Sequence, residues 1–268
     1  MKQRYGIILL VVTIPYLNLI AQILDKSRYS KIIVPRNISY QIVVDSVYID
    51  TLIMENDSKF VFSLPTILII EAATIGERCV WDASGEDAIE AGNDGQSGKS
   101  ISSVMFIRSL GSLTINTQGG RGANGAAGQP GSGGLSGAEH ANGEDGGIGG
   151  DGGNSGNGGD IKFHYSGKFV SFLPSEGREK QLRGRRWHAA QSADQFGYTV
   201  IYNNKGGKRG EGGRGGRGGP AGMPKGEPDY QTGKIISVGN RGLPGRSGQS
   251  GNPGVNGVDG RLIFKRFD

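Results

Sequence analysis

The residues 92–100, GNDGQSGKS, come close to a loop that cradles phosphate with its backbone. That chemistry needs G-x-x-x-x-G-K-S, so that the lysine and hydroxyl reach the same phosphates. Counting back from Gly98-Lys99-Ser100, the first glycine belongs at position 93, which is Asn93. No strong helix pattern follows. Gly147, Gly149 and Gly152 satisfy G-x-G-x-x-G, but a stretch this rich in glycine yields the match trivially. A dinucleotide site also needs a strand before the glycines and a helix after them. His140, His164 and His188 are far apart and lack ligand spacing. No G-x-S-x-G occurs. The Glu144-Asp145 pair lies in a polar segment, with no burial to raise a carboxyl pKa for acid catalysis. These patterns point away from an enzyme and call for no cofactor.

Two patterns suit binding better. GGIGGDGGN, residues 146–154, has the aspartate of a calcium-binding β-roll nonapeptide at Asp151, but Gly153 stands at the large apolar position and there is one copy. Asp151 and Asp160 are therefore weak calcium candidates. GGRGGRGG, residues 212–219, carries Arg214 and Arg217, and Arg183, Arg185, Arg186 and Trp187 precede it. From Arg178 to Arg217 there are ten basic residues against three acids, whereas residues 122–160 hold five acids and no lysine or arginine. Such blocks bind polyanions, pair with each other, or form solvated faces. With export (below), a polysaccharide or lipopolysaccharide fits the basic segment 178–217 better than a nucleic acid.

The elements that would position these residues are unusual. The chain has 50 glycines in 268 residues. Of the fourteen third positions from Gly119 to Gly158, all but His140 and Ser155 are glycine. All six from Gly207 to Gly222 and all eight from Gly239 to Gly260 are glycine. Gly92, Gly95 and Gly98 form a prelude, and from Gly147 to Gly159 a second phase is also glycine. A polyproline II helix has three residues per turn, so this period clears one edge of side chains for another backbone to approach. A flexible linker has no reason to keep such register. Splitting the first array at 138–142 gives four comparable arms, suited to an intramolecular bundle. A collagen triple helix shares the period, but it wants abundant proline, and the whole chain has 10. Gly128, Gly215 and Gly248 stand mid-arm in this pattern, where a neighbouring backbone should come close.

In their G-x-y text the arrays resemble collagen-like bacterial surface proteins. In their glycine doubling they resemble polyproline II bundle proteins, namely springtail antifreeze proteins and the receptor-binding tips of some phage tail fibres. The resemblance covers roughly residues 91–160 and 206–260. It implies a backbone architecture and carries over no functional residue. This chain differs from the antifreeze proteins in its charged arms and in having a single cysteine, Cys79. That cysteine sits in an apolar stretch and is expected to be buried.

Residues 1–21 read as a secretory leader: Lys2 and Arg4, then an apolar run from Gly6 to Ile20, with Gln22 as the new N-terminus. Residues 22–90 form a β-rich base. VYIDTLIMENDSKFVF (47–62) and TILIIEAATIGERCVW (66–81) look like two coils of a β-solenoid, with an ordinary sandwich as the alternative. Residues 91–160 hold the first array with a β insert, 161–205 a mixed β and basic segment, and 206–268 the later arrays and a closing strand. Short apolar strands at 104–107, 113–115, 161–164, 168–173, 198–202, 234–238 and 262–264 should return each array to the base. The expected fold is mostly β with polyproline II arms and almost no helix. The expected function is that of an exported structural or adhesive protein, extracellular, on the cell surface or periplasmic. It would be a monomeric bundle rather than a collagen trimer, with an envelope protein or polysaccharide as partner.

Overall fold

The computed structural model describes residues 22–25, 27–135, 142–167, 170–175, 198–222, 225–228, 235–238 and 242–267. The leader at 1–21, the breaks at 136–141 and 229–234, and Arg183, Arg185, Arg186 and Trp187 lie outside them. The described chain is mostly β, with no helix among the described residues. The strands are β1 (Gln22–Leu24), β2 (Arg28–Val34), β3 (Ser39–Ile42), β4 (Ser46–Met54), β5 (Lys59–Phe62), β6 (Thr66–Ile75), β7 (Cys79–Asp82), β8 (Ile101–Leu110), β9 (Ser112–Asn116), β10 (Ile161–Gly167), β11 (Ser171–Pro174), β12 (Thr199–Asn203), β13 (Lys225–Pro228), β14 (Ile235–Val238) and β15 (Leu262–Arg266). All seven expected short strands coincide with an element, with shifted ends. β13 goes beyond those expectations and pairs antiparallel with β14.

The other strands make two parallel sheets, ordered β1-β3-β5-β7-β9-β12-β11 and β15-β10-β8-β6-β4-β2. From β1 to β10 the chain crosses from one sheet to the other after every strand. The alternation of residue types explains the choice of strand. β6 (TILIIEAATI) buries Thr66, Leu68, Ile70 and Ala72 and turns Ile67, Ile69 and Glu71 outward, the period of two of a one-sided strand. Facing rows stack in register: Phe60 beside Trp81, and Trp81 beside Ile115. The buried cluster runs from Leu24 through Trp81 and Phe163 to Val200, so strands after residue 90 belong to the same core as those before it. Cys79 lies fully buried in that core, and burial pushes its thiol pKa up.

The two kinds of crossing between the sheets differ. At one, a single residue in the left-handed region precedes the next strand: Asn37, Asp57 and Arg78, with φ of 61°, 63° and 55°. Arg78 there donates two hydrogen bonds to the Asp57 carboxylate, at 2.6 and 2.8 Å, and Arg36 approaches it at 3.4 Å. The hydrogen bonds and charge of Arg78, helped by Arg36, hold the Asp57 carboxyl below its ordinary value of 3.8. A carboxylate lowered on folding stabilises the fold fully above its ordinary value, and the contribution is lost as pH falls through the lowered one. Thermal melts from about pH 5 to about pH 2 should therefore show Tm falling in acid, and Asp57→Asn should flatten the fall. Equal acid slopes in the two proteins would remove this role.

At the other kind of crossing the connection grows. After the crossing from β1 to β2, residues 43–45 and 63–65 make the next two; residues 83–100, 117–160 and 204–261 occupy the following three. Each long connection leaves the first sheet and returns to the second. Each makes two extended arms: 83–91 and 93–100 (arms 1 and 2), 117–134 and 142–160 (arms 3 and 4), 204–222 and 242–260 (arms 5 and 6). Gly92, with φ of 78°, makes the turn between arms 1 and 2. Every third N–H of arm 3 donates to arm 5, from Gly119 to Lys205 O and from Gly122, Gly125, Gly128 and Gly131 to the carbonyls of 208, 211, 214 and 217. Arm 4 pairs in the same parallel way with arm 6, through Gly146, Gly149 and Gly152. Arms 3 and 4 run antiparallel, with Gly147, Gly150 and Gly153 donating to Gln129, Ala126 and Ala123. Odd arms thus form one layer and even arms a second, packed glycine to glycine.

Candidate functional site

Each arm of the bundle turns one column of side chains, repeating every third residue, to the side away from the opposite layer. On the even layer these columns are Asp94, Ser97 and Ser100 of arm 2; Asn142, Asp145, Ile148, Asp151, Asn154, Asn157 and Asp160 of arm 4; and the residues from Leu243 to Arg261 of arm 6. Their chemistry is turned sideways. The side-chain oxygens of Asn142, Asp145, Asp151, Asn154, Asn157 and Asp160 accept the backbone N–H of Leu243, Arg246, Asn252, Val255, Val258 and Arg261 at 2.6–2.9 Å. Asp94, Ser97 and Ser100 accept in the same way from Asn154, Asn157 and Asp160. Short side chains that accept from backbone amides are what an arm without helix or sheet ladders needs. The acid-rich composition of residues 122–160 thus includes the polar half of an arm-to-arm ladder.

Both calcium candidates belong to that ladder. Asp151 accepts from Asn252 and Asp160 from Arg261, each at 2.7 Å. Among the described residues, no group of three acidic, histidine or cysteine side chains is placed to hold a metal. The near-phosphate loop is arm 2 and its turn: Lys99 Nζ donates to Ser84 O at 3.0 Å, and β8 follows rather than a helix. An open groove of about 530 Å³ lies at the root of this arm, lined by Asp45, Ser46, Thr66, Ser100, Asp160 and Lys162. The Asp45 carboxylate accepts from the Ser46 hydroxyl. His164 faces outward on β10; His140 and His188 lie outside the described residues.

The odd layer carries a different column set. Arm 1 shows Ser84, Asp87 and Glu90; arm 3 shows Gln118, Arg121, Asn124, Ala127 and Pro130; arm 5 shows Lys205, Lys208, Glu211, Arg214, Arg217 and Pro220. Asn124 Oδ1 accepts from Glu211 N at 2.9 Å, and Asp87 Oδ1 from Arg121 N at 2.6 Å, which fixes the rows across the layer. Arg214 and Arg217 are exposed here, with no ion pair to any described residue. The acidic and basic arms do touch, but through glycine: Gly213 and Gly216 donate to Gly150 and Gly147. Their charged columns point away from each other, one on the outer side of each layer, so Asp145 and Asp151 do not meet Arg214 and Arg217. The Ser175 N–H donates to Tyr202 O at 2.9 Å, beside the root of arm 5.

The three singled-out glycines all meet backbone. A Cβ on Gly128 would stand 2.1 Å from Gly147 O, one on Gly215 2.0 Å from Gly248 O, and one on Gly248 2.0 Å from Gly147 O. Gly215 belongs to the second glycine column of arm 5, which faces arm 6; Gly213 and Gly216 belong to the column that faces arm 3. Sequence reasoning misses the side-chain ladder. Its signal is nonetheless present, as Asn or Asp directly before the repeating glycine at 142, 145, 151 and 157, and before Ser155 at 154. The chain matches no protein-family model, no curated protein and no solved structure.

Proposed function

We propose that this chain is an exported, non-catalytic structural or adhesive protein of the cell surface or envelope. A two-sided β-solenoid, rather than a sandwich, carries a monomeric bundle of six polyproline II arms. The observation that carries this reading is the period-three ladder. Every arm bonds to its neighbours within one chain, which asks for no second copy. The crossing from sheet to sheet after each strand supports the solenoid. The period of three supports polyproline II, as does a positive φ at no described array glycine except Gly92. Export rests on the charged and apolar start of the sequence.

Two measurements test it. The purified protein should show a polyproline II circular dichroism signal at monomer mass and melt independently of concentration. A trimer whose Tm rises with concentration would replace the bundle by collagen. Protein recovered outside the cytoplasm should begin near Gln22 by mass spectrometry, and an intact Met1 on it would remove the cleaved leader.

A further inference from the structure

Four exposed cations on the odd layer have no carboxylate partner among the described residues: Arg121, Lys208, Arg214 and Arg217. The acids of the same face are otherwise engaged. Glu211 pairs with Arg209 at 3.9 Å, Asp87 accepts from Arg121 N, and Glu90 accepts from Asn93 Nδ2 at 3.2 Å. Asn124, Ala127 and Pro130, which follow Arg121 along arm 3 beside arm 5, are short. The other layer shows Asp94, Asp145, Asp151 and Asp160, which outnumber its Arg246 and Arg261. The bundle is therefore electrostatically two-faced, and an anion is steered to one side of it.

We propose that the odd-layer face binds a linear anionic polysaccharide lengthwise along arm 5. This rests on reading the arms as period-three rods. At ~3.1 Å per residue, Lys208 and Arg214 stand about 19 Å apart and Lys208 and Arg217 about 28 Å. The backbone beneath them is already fixed by the bonds from Gly122, Gly128 and Gly131, so binding need not order it. Cations this sparse match a chain with one charge per few sugars. They are a poor match for duplex DNA, with a charge every ~1.7 Å of its axis. Single-stranded nucleic acid is held largely by aromatic stacking, and no described residue of this face is aromatic.

The test uses the full mature chain with fluorescently labelled hyaluronan, which carries one carboxylate per two sugars, and an oligothymidylate of equal charge as competitor. Hyaluronan should bind with an affinity whose logarithm falls linearly against log salt, and the oligonucleotide should compete weakly. Arg214→Gln with Arg217→Gln should weaken binding about tenfold and flatten the salt slope. Arg246→Gln with Arg261→Gln, on the other layer, should leave binding unchanged. Glu211→Gln should tighten it several-fold, a gain that misfolding cannot imitate. No binding by the wild type would overturn the proposal. So would equal loss from both arginine pairs, or tighter binding of the oligonucleotide. The circular dichroism and melts of the same samples report on the bundle separately, so the rods can stand while the ligand assignment fails.

Discussion

Gly248→Ala should lower Tm by roughly 10 °C, while Ser247→Ala, one residue away, should leave it nearly unchanged. The methyl group added at Gly248 would stand 2.0 Å from Gly147 O and 2.6 Å from Gly147 C. Both are backbone atoms, held in place because the Gly147 carbonyl accepts from Gly216 N at 2.8 Å. No side chain can swing away, so arm 6 must leave arm 4. Overpacking of this kind costs about 3 kcal/mol at the high end of its usual range. Ser247 is exposed and faces no arm. Gly128→Ala and Gly215→Ala should behave like Gly248→Ala, and Ala127→Val like Ser247→Ala. Equal melting of the two groups by calorimetry would exclude a packed bundle.

The triple variant Asn154→Ala, Asn157→Ala, Asp160→Ala should lose about 3 kcal/mol, near 1 kcal/mol for each side-chain acceptor removed. The N–H groups of Val255, Val258 and Arg261 would then have to turn to water. The companion triple Asn154→Asp, Asn157→Asp, Asp160→Asn keeps an acceptor oxygen in every row and should melt close to the wild type. The same pair of variants separates ladder from metal. A calcium site at Asp160 would make the second triple lose a calcium-dependent rise in Tm, whereas the ladder gives no such rise. If both triples melt alike, the side-chain ladder contributes nothing measurable.

Glycine doubling has a geometric origin. Arm 4 needs Gly153 and Gly156 against arm 2, and Gly146, Gly149 and Gly152 against arm 5, because a Cβ in either column would meet a carbonyl within 2.4 Å. Arm 6 needs one column. Where arm 4 has Gly143, Gly146, Gly149 and Gly152, arm 6 has Pro244, Ser247, Ser250 and Pro253. In arm 4 those positions donate N–H groups to arm 6. In arm 6 they are exposed, and two of them have no N–H to give. The most proline-rich array, collagen-like in its text, is thus the last arm of the bundle, where no further backbone among the described residues approaches.

The sequence alone determined the local geometry. A period of three in glycine marks the arms, a period of two in apolar residues marks strands such as β6, and both follow from how often a backbone returns a side chain to the same side. It also marked where strands resume after each array, because the stretches 161–164 and 262–264 are short, apolar and preceded by glycine-rich chain. Which arm lies beside which was decided only in three dimensions. Asp160 meets Arg261 across 101 residues and Ser100 across 60, and no local period selects either separation. Those offsets come from the strand order of the two sheets: once β10 pairs with β8 and with β15, the arms that lead into these strands are laid side by side. The tertiary structure thereby made one column of Asn and Asp a ladder and left one column of Lys and Arg facing water. The residue types set what each column could do, and the register of the core set what each column meets.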